Sequence, residues 1–224
     1  MPKLLALLTV LIATSSTLAT ARAQYGESEA AATPSSTPPL MEPRLLKLTA
    51  HVGYAFGGSV SEGGGSLSLD GGPTLGVLAS YGLPTGGRIF LSFTQQDNRA
   101  EVRGTSGIDE YDLILRTLQF GGSLDMPLRP TGGRVWPHFA FSIGATQFDP
   151  DYSRYETDWT FSWIVEGGVT VWLIKCLGLT ALARLHGHVV QSENAALCSG
   201  GCVYLRDTTL LVEGEVGAGV TLAL

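Results

Sequence analysis

The stretch TTLLVEGEVGAGVTLAL, residues 208–224, alternates with a period of two. Leu210, Val212, Val216, Ala218, Val220, Leu222 and Leu224 fall on one face, and Thr209, Glu213, Glu215, Gly217, Gly219 and Thr221 on the other. Successive strand side chains point to opposite faces, so this is a strand with one apolar side and one side carrying two carboxylates. In a soluble sandwich the polar side meets water outside. In a membrane barrel the polar side lines the lumen and the apolar side meets lipid.

The other strands repeat the arrangement with less purity. Leu46, Leu48, Ala50, Val52, Tyr54 and Phe56 oppose Lys47, Thr49, His51 and Gly53. Leu75, Val77, Ala79, Tyr81 and Leu83 form a second apolar face, and Ile89, Leu91 and Phe93 oppose Ser92, Thr94 and Gln96. Phe139, Phe141 and Ile143 oppose Ser142, Gly144 and Thr146. Trp159, Phe161, Trp163, Val165, Val169 and Val171 oppose Thr160, Ser162, Glu166 and Thr170. Residues 111–125 break the rule, because Leu113 and Leu115 share a face with Gln119, Ser123 and Asp125. A bulge or a strand end projecting beyond the membrane accounts for this. Tyr54, Phe56, Tyr81, Phe93, Phe120, Phe139, Trp159, Trp163 and Trp172 lie mostly toward strand ends, where interfacial girdles belong.

The connections alternate in character. Residues 57–70, 97–109, 149–156 and 191–206 are long and polar or glycine-rich, whereas 84–87, 127–133 and 174–178 are tight turns. An even number of strands with short turns at one end and long loops at the other predicts an all-β, antiparallel, up-and-down eight-stranded transmembrane β-barrel over residues 45–224. Residues 1–23 read as an export signal: Lys3, an apolar run from Leu4 to Ala13, and the small-x-small site Ala21, Arg22, Ala23. Residues 24–44, with Pro34, Pro38, Pro39 and Pro43, read as a disordered Pro/Ala/Ser-rich leader.

Composition narrows the function classes. The chain carries 14 Lys and Arg against 20 Asp and Glu, a net charge of −6. Loss of residues 1–23 removes Lys3 and Arg22 and no acid, leaving 12 against 20, or −8. That balance excludes nucleic acid as an expected partner, since nucleic-acid binding calls for a basic patch. With 29 glycines and few charges, the chain suits alternating strands better than helices.

On this pattern, residues 46–224 resemble the small eight-stranded outer-membrane barrels, the class of the outer membrane protein A transmembrane domain and its broad relatives. The resemblance rests on architecture. Such barrels commonly close on a strand whose terminal aromatic residue is read by the barrel-assembly machinery, while here the last strand ends on Leu224. The resemblance implies the outer membrane of a Gram-negative bacterium, with outer-membrane lipid and lipopolysaccharide as surroundings and the assembly machinery as a partner.

Arg184, His186 and His188 share one face of the seventh strand, and the flanking strands place Glu166 and the pair Glu213 and Glu215 on their polar faces. In an up-and-down barrel these charges converge in the lumen, because a buried charge demands a partner. Glu213 or Glu215 is the expected partner of Arg184. A polar core that plugs the barrel accounts for the cluster; a gated ion path is the alternative.

The same strand bears on two further chemistries. Lipid A deacylases are eight-stranded barrels that use a His, a Ser and an acid near the outer rim, and His186, His188, Ser192 and Glu193 offer those types. The family's His and Ser are two residues apart, whereas His188 and Ser192 are four apart, about 13 Å by the strand rise. No catalytic residue is therefore expected. His186 and His188 alone make no metal site, and no cofactor is expected.

Cys198 and Cys202 are spaced for a disulfide in an exported loop, with Cys176 left over. Asp149, Asp151, Glu156 and Asp158 form an acidic loop without a calcium-loop spacing. The expected function is an outer-membrane barrel with a structural or small-solute passage role and a plugged polar lumen. A surface-loop binding or adhesion module is the alternative, and a lipid-modifying enzyme comes third. A soluble lipocalin-type barrel is the rival fold, and it reverses every face.

Overall fold

The computed structural model describes residues 45–62, 65–84, 86–104, 107–128, 131–151, 157–190 and 209–224. The export signal (1–23), the leader (24–44), Ser192, Glu193, and Cys198 and Cys202 with their expected disulfide lie outside the described residues. Ten strands are seen among these residues: β1 Leu46–Phe56, β2 Ser59–Glu62, β3 Gly65–Leu69, β4 Gly71–Gly82, β5 Gly87–Gly104, β6 Gly107–Asp125, β7 Val135–Pro150, β8 Asp158–Ile174, β9 Leu177–Val190 and β10 Thr209–Ala223.

Eight of them are the staves of a closed antiparallel barrel. β1 pairs with β4, each later stave pairs with the next, and β10 pairs back onto β1, so no stave keeps a free edge along its paired length. Closure of this kind satisfies backbone N–H and C=O groups without water, which hydrocarbon cannot supply.

The faces are sorted as the alternation predicts. Apolar side chains point outward: Val52 is 62% exposed, Val77 55% and Phe141 51%. Ser92, Thr94, Gln96, Thr146, Ser162 and Glu166 point inward and are buried. A lipocalin-type barrel would show the reverse, so the rival fold is excluded. Trp172 departs from the expected girdle. It is 4% exposed and faces the lumen, because it shares parity with Thr170.

Two of the expected loops are strand for most of their length. Residues 57–70 contain β2 and β3, which pair with each other, and β3 pairs on into β5 (Leu69 with Ala100, Ser66 with Arg103). Residues 97–109 are the far ends of β5 and β6, paired up to Gly104 and Gly107. The β-branched and apolar residues there, such as Val102 and Leu67, sustain pairing despite the polar neighbours.

The same extension resolves the irregularity at Leu113 and Leu115. β6 pairs with β5 and β7 without a register shift, so the strand projects instead of bulging. Leu113 and Leu115 point inward and join Leu67, Leu69, Val102, Tyr111, Phe148, Val190 and Leu211 in an apolar cluster. That cluster fills the end of the barrel bearing the long connections, the loop end. The opposite end, with the tight turns, is the turn end.

Candidate functional site

The lumen holds the chain's chemistry. All four of its histidines, His51, His138, His186 and His188, point inward toward three glutamates and one arginine. Each sits at a position whose strand parity faces the interior.

Arg184 is the hub. Its Nε donates to Glu166 Oε2 at 2.5 Å, and its Nη1 lies 2.6 Å from His51 Nε2 and 3.6 Å from Glu215 Oε2. Register explains the meeting, because Arg184 is the direct cross-strand partner of Glu166 on β8 and of Glu215 on β10. The expected pairing is thus divided: Glu166 makes the hydrogen bond, Glu215 is the second anion, and Glu213 is not a partner of Arg184.

Each carboxylate has further support. Glu166 Oε1 lies 3.2 Å from His138 Nε2. Glu215 accepts from Thr74 Oγ1 at 2.7 Å and lies 2.8 Å from His186 Nε2. Side chains from six staves therefore tie one network across the lumen. Charge-assisted hydrogen bonds are the strong ones, and a network leaves less of each group's desolvation uncompensated.

Two glycines make the crossing fit. Gly76 is the cross-strand partner of His51, and a Cβ there would lie 2.3 Å from the ring's Cε1. Gly168 partners His138, and its Cβ would lie 2.5 Å from that ring. A histidine whose neighbour across the strand lacks a side chain can lie flat over the sheet and reach into the centre.

His188 and Glu213 sit one layer nearer the loop end. His188 Nε2 is 3.4 Å from Glu213 Oε2 without hydrogen-bond geometry, and Asn98 Nδ2 donates to Glu213 Oε1 at 3.4 Å. His188 stacks on His186 and meets Phe148 edge to face, so it links the ionic layer to the apolar cluster. Both residues are buried inside the lumen, away from the outer wall where a lipid substrate would lie. Ser192 and Glu193, the other two groups a deacylase would need beside His188, lie outside the described residues.

Hydroxyl and amide groups line the remaining layers. Gln119 donates to Ser162 Oγ at 2.6 Å, and Thr117, Thr146 and Ser162 bond in sequence. Toward the turn end, Thr49, Thr221, Thr180 and Thr170 join hand to hand across β1, β10, β9 and β8 at 2.7–2.9 Å. The turn end itself carries Lys47, Asp125, Arg88, Trp136 and Trp172, whose convergence cannot be read from any single strand.

The acidic group near the loop end is partly engaged. Asp149 Oδ2 accepts from Arg116 at 2.7 Å, and its Oδ1 accepts from Thr157. Among the described residues no group of three or more His, Cys, Asp or Glu is arranged to hold a metal ion. Cys176, in the turn between β8 and β9, is a free thiol among the described residues.

No protein-family model matches the chain, and no curated protein matches it. Solved structures do. Neisserial surface protein A is similar over 80% of this chain and 97% of its own, at 16% identity and a TM-score of 0.54. The outer membrane protein AlkL, studied in lipid bilayers, aligns over 89% of this chain and 96% of its own at 13% identity, TM-score 0.44. The attachment invasion locus protein Ail of Yersinia pestis aligns over 79% and 98% at 12% identity, TM-score 0.40. The fold is that of the small eight-stranded outer-membrane barrels.

Proposed function

We propose that this chain is an integral outer-membrane β-barrel protein of a Gram-negative envelope, without catalytic activity, whose filled lumen makes it a scaffold in preference to an open pore. One observation carries the membrane part: every stave exposes large apolar side chains on its outward face and buries polar or charged ones on its inward face. Only a hydrocarbon surround makes that arrangement favourable. The filled lumen rests on three successive closures, namely the apolar cluster, the Arg184 network and the Trp136–Trp172 end. On this reading, residues 1–23 direct export and the assembly machinery inserts the barrel. Outer-membrane lipid and lipopolysaccharide surround it, and Cys198 and Cys202 pair outside.

A binding or adhesion role is favoured by the length of β5 and β6. They have 18 and 19 residues, where about 9–11 tilted residues cross a bilayer. The surplus raises a paired, polar-faced sheet beyond the membrane. The experiment is refolding into lipid vesicles, followed by gel migration with and without heating and by planar-bilayer recording. Heat-modifiable migration with no resolved conductance is expected. Recovery as a soluble periplasmic protein overturns the membrane reading, and steady open-channel current overturns the filled lumen.

A further inference from the structure

Five staves converge on one ammonium group at the turn end. Lys47 Nζ, from β1, lies 2.5 Å from Asp125 Oδ2 on β6. It also lies over the ring of Trp136 on β7 at 4.7 Å and of Trp172 on β8 at 5.4 Å. The two indoles meet edge to face, with centroids 6.2 Å apart. Arg88, from β5, stands 4.0 Å from the same Asp125 oxygen and donates to Ser80 Oγ and to the carbonyl oxygen of Leu45.

This floor separates two spaces. Inside is a polar cavity of about 50 Å³ that reaches from Lys47, Arg88 and Asp125 up to His138, Glu166 and Arg184, large enough for water. Outside is a mouth of about 480 Å³ lined by Leu83, Pro84, Pro127 and Trp136, and again by Arg88 and Asp125. Arg88 and Asp125 line both spaces, and Lys47 lines the inner one, where its ammonium meets Asp125.

Two aromatic faces and a carboxylate around a cation are the chemistry of ammonium recognition. We propose that Trp136, Trp172 and Asp125 form an ammonium-binding box that closes the turn end of the lumen. Lys47 is its tethered occupant, and the box accepts a free primary alkylammonium when Lys47 is absent. Tethering explains why Lys47 holds the box: the effective concentration of an attached ligand exceeds that of free competitors. The floor is thereby a latch separate from the Arg184 network, and its release opens the inner cavity to the mouth alone.

The test reads access to that cavity. Ser123 lines it, and Ser123→Cys supplies a thiol whose reaction with a membrane-impermeant, cationic thiosulfonate is followed on its own peptide by mass spectrometry in the refolded barrel. With Lys47 present, labelling is slow. Lys47→Ala accelerates it about tenfold, the scale of one lost desolvated cation–π contact.

n-Propylammonium, which supplies the atoms that Lys47→Ala removes, slows labelling toward the native rate, whereas sodium at equal ionic strength does not. Adding Trp136→Ala abolishes that rescue. Lys47→Met serves should Lys47→Ala not refold. It labels faster than the native chain and is indifferent to propylammonium, because its stem occupies the same space. Native-like labelling in the Lys47 variants, or equal protection by sodium and propylammonium, overturns the proposal. Neither outcome touches the membrane reading, since access is measured on a folded barrel.

Discussion

Replacing Arg184 with Met removes the hub of the luminal network while keeping most of its volume. The side chain is 3% exposed and holds Glu166 at 2.5 Å, His51 at 2.6 Å and Glu215 at 3.6 Å. Breaking a buried pair by deleting one partner costs about 3–5 kcal/mol, because a charge is left buried and uncompensated. The structure places the cost at the low end of that range. Glu166 keeps His138, and Glu215 keeps His186 and Thr74, so neither carboxylate loses every partner. A loss of about 3 kcal/mol is therefore expected for Arg184→Met.

The second half of this prediction is a coupling. Glu166→Gln on top of Arg184→Met removes the stranded charge, and the pair is expected to recover about 1–3 kcal/mol relative to the sum of the single losses. The assay is reversible urea unfolding in lipid vesicles, followed by tryptophan fluorescence and checked by heat-modifiable migration. A single-variant loss below about 1 kcal/mol, the range of exposed pairs, refutes the reasoning. So does strict additivity of the two substitutions.

Three other outcomes follow from the same geometry. Val77→Arg, on the outward face near the middle of β4, is expected to cost about 2–4 kcal/mol in vesicles, whereas a water-exposed site would tolerate it within about 0.5 kcal/mol. Leu115→Ala removes a 2%-exposed side chain from the loop-end cluster and is expected to cost about 2–5 kcal/mol. Hydrogen exchange should rise in the far halves of β5 and β6 and stay unchanged at the turn end. Gly168→Ala drives a Cβ to 2.5 Å from the His138 ring, so a loss of about 1–3 kcal/mol and a shifted His138 NMR signal are expected, and unchanged stability would speak against that close approach.

The alternation of Leu210, Val212 and Val216 against Glu213 and Glu215 was enough to assign the faces of β10. The same period assigned the other staves except β6, because side-chain direction in a strand is a local property of the backbone. Turn chemistry at residues 84–87 and 174–178 paired neighbours without reference to the rest of the chain. Arg184, His186 and His188 were legible as one luminal group for the same reason.

The partners of that group were less legible. Residues separated by 133 positions, His51 and Arg184, meet only because β1 and β10 close the ring and the stagger sets them at one height. Closure likewise brings Lys47, Asp125, Trp136 and Trp172 from four staves to one point, and it turned Trp172 from an expected girdle residue into a luminal one. The polar composition of residues 57–70 and 97–109 concealed strands, since their pairing is sustained by inward apolar residues that find one another only across the barrel mouth. By itself, then, the sequence determined which way every stave but β6 faces, because a period of two needs only the chain. The contacts across the lumen awaited tertiary structure, because register and closure are properties of the whole ring.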